Sequence, residues 1–281
     1  NEDYQAEYAH DVMGRLKSRG FTYLGTSAME RNLLPVLVDD RVAKAASAAA
    51  PELAQTMVDV ATNNAMRHDF FMQGTGGDPQ SADYPAQARF GVIVPLSRIA
   101  EPHRTVRGEI TFRNPALLSV VEALAGRAMT MAELKAALPP SAVPQLRGWL
   151  DLLIAGRKVA PFLGVERAGT IDRERLRKIN RERLDWTVTS LDAKSQTPLL
   201  AAEYGNCLVA GWFESLVLWR FDKRHDTATQ QELLARMHKA GMAFPGKDRK
   251  PAPDQLARFR EEVEKLDATY VARMPYWGIE V

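Results

Sequence analysis

The feature that most constrains this chain is the recurrence of apolar side chains at spacings of three and four residues between capping signals and glycines, a period that an α-helix buries along one face. It is clearest after Asn114-Pro115, where an N-cap precedes a proline at the first helical position, Leu117, Leu118, Val121 and Leu124 form the stripe, and Gly126 ends it. The same logic predicts a first helix carrying Tyr8, Val12 and Leu16 up to Gly20, and another that opens at Pro51, carries Leu53, Met57 and Val60, and runs to about Arg67. Thr130-Met-Ala-Glu133 reads as a capping box before a short helix to Leu138, and Leu146, Trp149, Leu150 and Leu153 mark the next one up to Gly156. Further helices pass through Phe213, Leu216 and Val217, and, from about Asp254, through Leu256, Phe259, Val263, Leu266 and Tyr270.

Strand signals are few and short. Phe21-Thr-Tyr-Leu24, Phe90-Gly-Val-Ile-Val94, Gly108-Glu-Ile-Thr-Phe112 and Val159-Ala-Pro-Phe162 are the candidates, with Ile110 and Phe112 expected on one face. The fold class is therefore mainly α with small β (α+β). Breaks in pattern divide the chain into a helical subdomain over 1–87, a module over 88–165 with the strand, three helices, strand outline of a winged helix, and a charged linker helix with a C-terminal helical module over 166–281. Thr229-Gln-Gln-Glu232-Leu233 echoes Thr130-Met-Ala-Glu133-Leu134, which makes the C-terminal module read as a partial repeat with a second capping threonine.

Composition narrows the function classes. The 281 residues are 46% apolar and 26% charged, ordinary for a packed protein, and 37 basic against 35 acidic side chains leave +2, too little for a general polyanion binder. Cys207 is the only cysteine, which excludes an internal disulfide and points to a reducing, cytoplasmic setting. No apolar run approaches the ~20 residues that cross a bilayer, so no membrane partner is expected. The first residue is Asn1 and not methionine, so a preceding segment or a processed end is expected.

Motifs for chemistry are scarce. Gly74-Thr-Gly-Gly77 is followed by Asp78-Pro79 where a phosphate loop needs a helix N-terminus, and reads as a surface turn. The five histidines are scattered, with no metal-type pairing. In Phe221-Asp-Lys-Arg-His-Asp226, Asp222 and Asp226 could orient His225 as a general base, against the plainer reading of a solvated turn. Cys207 could be a nucleophile, against the plainer reading of a small packed residue. A self-sufficient enzyme would rest on those two residues alone. The run Ile171 to Trp186 is a charged helix whose interleaved acids lower its positive charge, so a solvated connecting helix is favoured over a phosphate-binding one and no nucleic acid is expected.

Several segments together carry a family likeness. Phe21-Thr-Tyr-Leu-Gly25 after an opening helix, then Asp59-Val-Ala-Thr-Asn-Asn-Ala-Met-Arg-His-Asp-Phe-Phe-Met-Gln-Gly74, resembles the G-L-x-Y-L-G and D-F-x-x-N-R-x-F-R-x-D-x-x-x-x-G pattern of the methyltransferase regulatory domain. Leu218-Trp-Arg-Phe-Asp-Lys-Arg-His-Asp226 is similar to that family's L-x-x-L-D-G-T-R-D turn, with Lys223-Arg224 in place of Gly-Thr. Met274-Pro-Tyr-Trp-Gly-Ile279 is similar to its C-terminal end. The resemblance implies a bacterial protein forming the regulatory or substrate-engaging region of an S-adenosylmethionine-dependent methyltransferase, a transferase family that includes protein-lysine methyltransferases. This chain would then hold no cofactor and no catalytic residue of its own. S-adenosylmethionine would sit on a Rossmann-like methyltransferase domain, in cis upstream or in trans, and a protein would be the substrate. The residues so implied as binding or interface candidates are Arg67 and Asp69, with Tyr8 and Tyr23 as packing partners; the plainer reading for each is a helix-end ion pair or a core aromatic. The alternative from another class is a winged-helix transcriptional regulator that binds nucleic acid.

Overall fold

The computed structural model describes residues 7–26, 33–64, 68–73, 86–105, 108–163, 169–245 and 251–281. In chain order it runs α1 (Ala9–Ser18), β1 (Phe21–Thr26), α2 (Leu34–Leu37), α3 (Asp40–Ala48), α4 (Pro51–Thr62), β2 (Asp69–Gln73) and β3 (Arg89–Val92). Then come β4 (His103–Thr105), β5 (Gly108–Ile110), α5 (Pro115–Leu124), β6 (Met129–Thr130), α6 (Met131–Ala137), α7 (Leu146–Ala155) and β7 (Val159–Phe162). The chain ends with α8 (Arg173–Thr189), the hairpin β8 (Thr197–Ala201) and β9 (Asn206–Ala210), α9 (Trp212–Trp219), α10 (Thr227–Lys239), α11 (Gln255–Thr269) and α12 (Met274–Trp277). The class is mainly α with small sheets, as expected. Two units form: 1–86, 98–123 and 131–159 in the first, 87–97, 124–130 and 160–281 in the second.

In the first unit, α4 stops at Thr62 because Asn63 takes the left-handed conformation (φ 49°) that closes the last turn, so it falls short of Arg67. Its expected stripe also turns outward: Leu53 and Val60 are exposed, while the smaller Ala54 and Val58 pack with Leu37, Val38 and Ala46. In α1 likewise Met13 is the buried residue and Tyr8 is 62% exposed. Asp39 caps α3 through Arg41 and Val42 N–H at 2.9 and 3.0 Å. Further along, Asn114 Oδ1 accepts from Ala116 N at 2.9 Å, opening α5 where the sequence places it. Strand β5 ends before Phe112, whose ring is fully buried over Gly156; a Cβ at Gly156 would come within 2.1 Å of it. Only glycine lets that ring close.

The second unit is organised by its last residues. Gly278 (φ 72°) turns the chain after α12 so tightly that a Cβ there would stand 2.5 Å from Glu203 N. Its carbonyl accepts from Ala202 N at 2.9 Å, and Trp277 O accepts from Glu203 N at 3.1 Å, which ties this turn to the β8–β9 hairpin. Trp277, fully buried, donates Nε1–H to Val92 O at 2.8 Å, and Tyr276 OH accepts from Val92 N and donates to Leu124 O, each at 3.0 Å. The three-stranded sheet in order β6-β3-β7 is thus held by α12 through its central strand. From the other side, α8 inserts Asn180, fully buried: its Oδ1 accepts from Leu200 N at 2.7 Å and its Nδ2 donates to Leu200 O at 3.0 Å and Glu280 O at 2.8 Å.

The second copy of the T-x-x-E-L signature has a different start from the one expected. Asp226 caps α10, its carboxylate accepting from Thr229 N at 2.9 Å and Thr229 Oγ1 at 3.1 Å, so Thr229 lies inside the helix instead of capping it. Asp254 caps α11 through Ala257 N at 2.8 Å, at the residue read from the sequence.

Two predictions follow from this anchoring. Gly278→Ala is expected to cost more than ~1 kcal/mol, and Asn180→Ala, which strands Leu200 N and two carbonyls, about 2–4 kcal/mol, both read by urea unfolding. Burial holds the Tyr204, Tyr270 and Tyr276 hydroxyls above the ordinary tyrosine range. The unfolded chain therefore loses those protons first, and stability should fall as pH rises past ~10. Tyrosinate absorbance should show a fraction that appears only as helical ellipticity is lost; complete ionisation of a still-folded chain would contradict this.

Candidate functional site

In the first unit, two antiparallel strands bring together residues far apart in sequence. β1 and β2 pair with Phe21 opposite Gln73, Tyr23 opposite Phe71 and Thr26 opposite Asp69, with a bulge that leaves Leu24 without an opposite residue. The sequence offered β1 but not β2, because Asp69-Phe-Phe-Met-Gln73 follows a helix and has no alternation of polar and apolar residues.

The two faces of the ribbon differ. Tyr23 and Phe71 meet edge to face with centroids 5.6 Å apart, and Thr26, nearly buried, donates its hydroxyl to His68 O at 3.2 Å. Because side chains alternate along a strand, Phe70 and Met72 point away from Phe71. They are exposed, Phe70 to 59%, and so is Leu24 at the bulge. Three large apolar side chains on so small a ribbon make a patch of the kind that marks a contact surface.

A second feature lies at the junction of α1 and α4. A shallow cleft of about 290 Å³ is lined by Tyr8, Thr56, Asp59 and Asn64, among others. Asn64 Nδ2 donates to Asp59 Oδ1 at 3.1 Å and its backbone N–H to Asp59 O at 2.9 Å, so the end of α4 folds back on Asp59. Tyr8 stacks on His10 with centroids 6.0 Å apart, and Lys17 pairs with Glu52 at 2.8 Å, which holds the Glu52 carboxyl below its usual range.

Of the four residues singled out in the sequence, Tyr23 and Asp69 are brought onto the ribbon, Tyr8 lines the separate cleft, and Arg67 lies outside the described residues. The glycine cluster Gly74–Gly77 lies outside them too. His225 is not oriented by Asp222 or Asp226: its Nε2 is 2.7 Å from Asp267 Oδ2 on α11. Arg224 donates to the other oxygen of Asp267 at 2.7 Å and to Phe221 O at 2.7 Å, and lies over the Phe221 ring at 4.3 Å. The residue that departs from the family's Gly-Thr thus anchors its turn to α11. Cys207 is half-buried in β9. No group of three metal-ligating side chains occurs among the described residues, and no helix there is long and apolar enough to cross a membrane.

Three arginines along α8 are engaged within the second unit. Arg173 pairs with Glu203 at 2.6 Å and Glu280 at 3.3 Å, Arg177 with Glu280 at 3.1 Å, and Arg183 donates to Pro198 O at 2.6 Å. These groups secure the C-terminal turn and the hairpin, which leaves that face of α8 a poor match for phosphates.

Residues 1–73, which end with β2, match the family model of the predicted methyltransferase regulatory domain. No curated protein matches the chain. The fold is similar to that of PKMT2 from Rickettsia typhi, with a TM-score of 0.52 and 12% identity over 96% of this chain and 58% of that one. It is also similar to PKMT2 from Rickettsia typhi in complex with AdoHcy, with a TM-score of 0.56 and 12% identity over 96% and 57% of the two chains. At this identity the likeness is one of fold. The chain spans less than three fifths of the length of the protein it resembles.

The two faces of the ribbon predict opposite responses. Phe71→Ala, which removes the ring packed on Tyr23, should destabilise by about 1 kcal/mol or more. The double variant Phe70→Ser/Met72→Ser should leave thermal stability within about 0.5 kcal/mol of wild type, as scanning calorimetry would show.

Proposed function

We propose that this chain is the regulatory and substrate-engaging region of an S-adenosylmethionine-dependent methyltransferase that modifies a protein, with lysine as the acceptor. The observation that carries this reading is one of extent: nearly all of this fold aligns with little more than half of a protein whose structure is also known with AdoHcy. The family-matched part of the chain also ends in the ribbon that exposes Leu24, Phe70 and Met72.

A Rossmann-like cofactor cleft needs parallel strands that open through a glycine turn into a helix N-terminus. The described strand pairs whose register is assigned are antiparallel, which supports a cofactor site outside this chain. In this reading the cofactor is held by a Rossmann-like domain, in cis or in trans, and this chain contributes alignment. Methyl transfer is a displacement at a sulfonium carbon whose rate depends on the approach of the acceptor, so a module that positions the acceptor or closes over the site changes the rate without touching the reacting atoms. The ribbon face is the surface offered to the catalytic domain, with Asp69 at its end and Arg67 close in sequence.

The test compares methyl transfer by the catalytic domain joined to, or mixed with, this chain in wild-type and Phe70→Ser/Met72→Ser forms. A loss of about tenfold or more in kcat/KM with unchanged cofactor affinity is expected. Wild-type turnover by the double variant, or tight saturable binding of AdoHcy to this chain alone in calorimetry, would overturn the reading.

A further inference from the structure

Within the second unit, a groove runs between α8 and α10. Two cavities of about 630 and 350 Å³ share Glu232 as a wall, and together they follow Arg181 to Thr189 on one helix and Thr229 to Lys239 on the other. At 1.5 Å per residue that is roughly 15 Å, the length of four or five residues of extended peptide. Arg181, Asp185 and Thr189 recur every four residues along α8, and Glu232, Arg236 and Lys239 at three and four along α10, so each helix offers a continuous stripe.

The floor is apolar and fixed. Leu184 and Leu218 are buried beneath Trp219, whose indole carries the Arg220 guanidinium at 3.7 Å and the Arg236 guanidinium at 4.7 Å. Its Nε1–H donates to Asp185 Oδ1 at 3.2 Å. The ring in turn holds both guanidiniums on the groove wall, so they need not be ordered on binding.

The walls carry five cationic and three acidic side chains. Two of the acids are already engaged, Asp185 by the indole and Glu232 by Arg220 at 3.2 Å. Asp222, 81% exposed, stands 4.0 Å from Arg181, a loose pair that a ligand can replace. Lys223 and Lys239 make no ion pair among the described residues, and Arg236 donates to a neutral acceptor, Val188 O, at 3.4 Å. The lining therefore carries a positive excess, with Lys223 and Lys239 at opposite ends of the groove.

We infer that the α8–α10 groove binds an acidic, extended peptide segment of the protein acceptor, with carboxylates toward Arg181, Lys223 and Lys239. The inference takes from the proposed function only that the acceptor is a protein. A single-stranded nucleic acid fits less well, because the Trp219 ring already carries two guanidiniums and leaves little face for a base to stack on.

Fluorescence anisotropy on the full chain tests this with a labelled twelve-residue peptide of alternating Glu and Ala carrying one central Leu, a Lys-for-Glu version, and a labelled oligothymidine. At ~150 mM salt the acidic peptide alone should bind saturably, and Arg181→Glu/Lys239→Glu should weaken it by about tenfold or more. Arg258→Glu/Lys265→Glu, with the same charge change on exposed sites of α11, should leave binding within about twofold. No binding of the acidic peptide, equal binding by both double variants, or preference for the oligothymidine would overturn the inference. None of these results bears on the ribbon variant's turnover, so the two readings stand or fall separately.

Discussion

The second unit depends on a clamp made by its last residues. Trp277 and Tyr276 take hold of both polar groups of Val92, and Gly278 allows the backbone to pass against Glu203 closely enough to pair with it. Each bond is modest by itself, but Val92 and Trp277 are fully buried, so losing one partner would leave the other unsatisfied at a cost well above the bond's net worth. The residues of Met274-Pro-Tyr-Trp-Gly-Ile279 each have a mechanical task. Met274 fills the core, Pro275 starts the turn, and Ile279 closes a bridge to Ala201.

The first unit is built on less. A two-stranded ribbon is marginal in water, and this one is supported on the Tyr23–Phe71 face while its other face exposes Phe70 and Met72, with Leu24 exposed at the bulge. A surface of that kind, in the segment matched by the family model, is suited to a role fulfilled by contact. The clamp and the ribbon thus divide the labour: one keeps a unit rigid, the other offers a surface whose cost of exposure is recovered on binding.

Much of the helical fold was legible because its signals are local. Asn114-Pro115 and Asp254 start helices where they stand, since an N-cap needs only its own next three residues. What was missed depends on partners distant in sequence. β2 forms because β1, some fifty residues earlier, offers it an edge; the β8–β9 hairpin is short and leans on Asn180 and the C-terminal turn. Tyr8 and Val60 match a helical period yet face outward, because burial is decided by which side the neighbouring helix covers. At the candidate site the same limit applies. The family pattern pointed to Asp59, Asn63 and Asp69 in one run, and the structure divides them between a cleft and a ribbon. His225 found Asp267 across a helix instead of the aspartates beside it in sequence.

The central claim is that this chain works by docking its first unit on a catalytic domain. Hydrogen exchange of the chain, alone and with the methyltransferase domain joined or added, tests it most directly. The account predicts slowed exchange at 21–26 and 69–73, with no comparable change at Trp277 and Gly278, which are protected already. Unchanged exchange along the ribbon in a catalytically active assembly would contradict it.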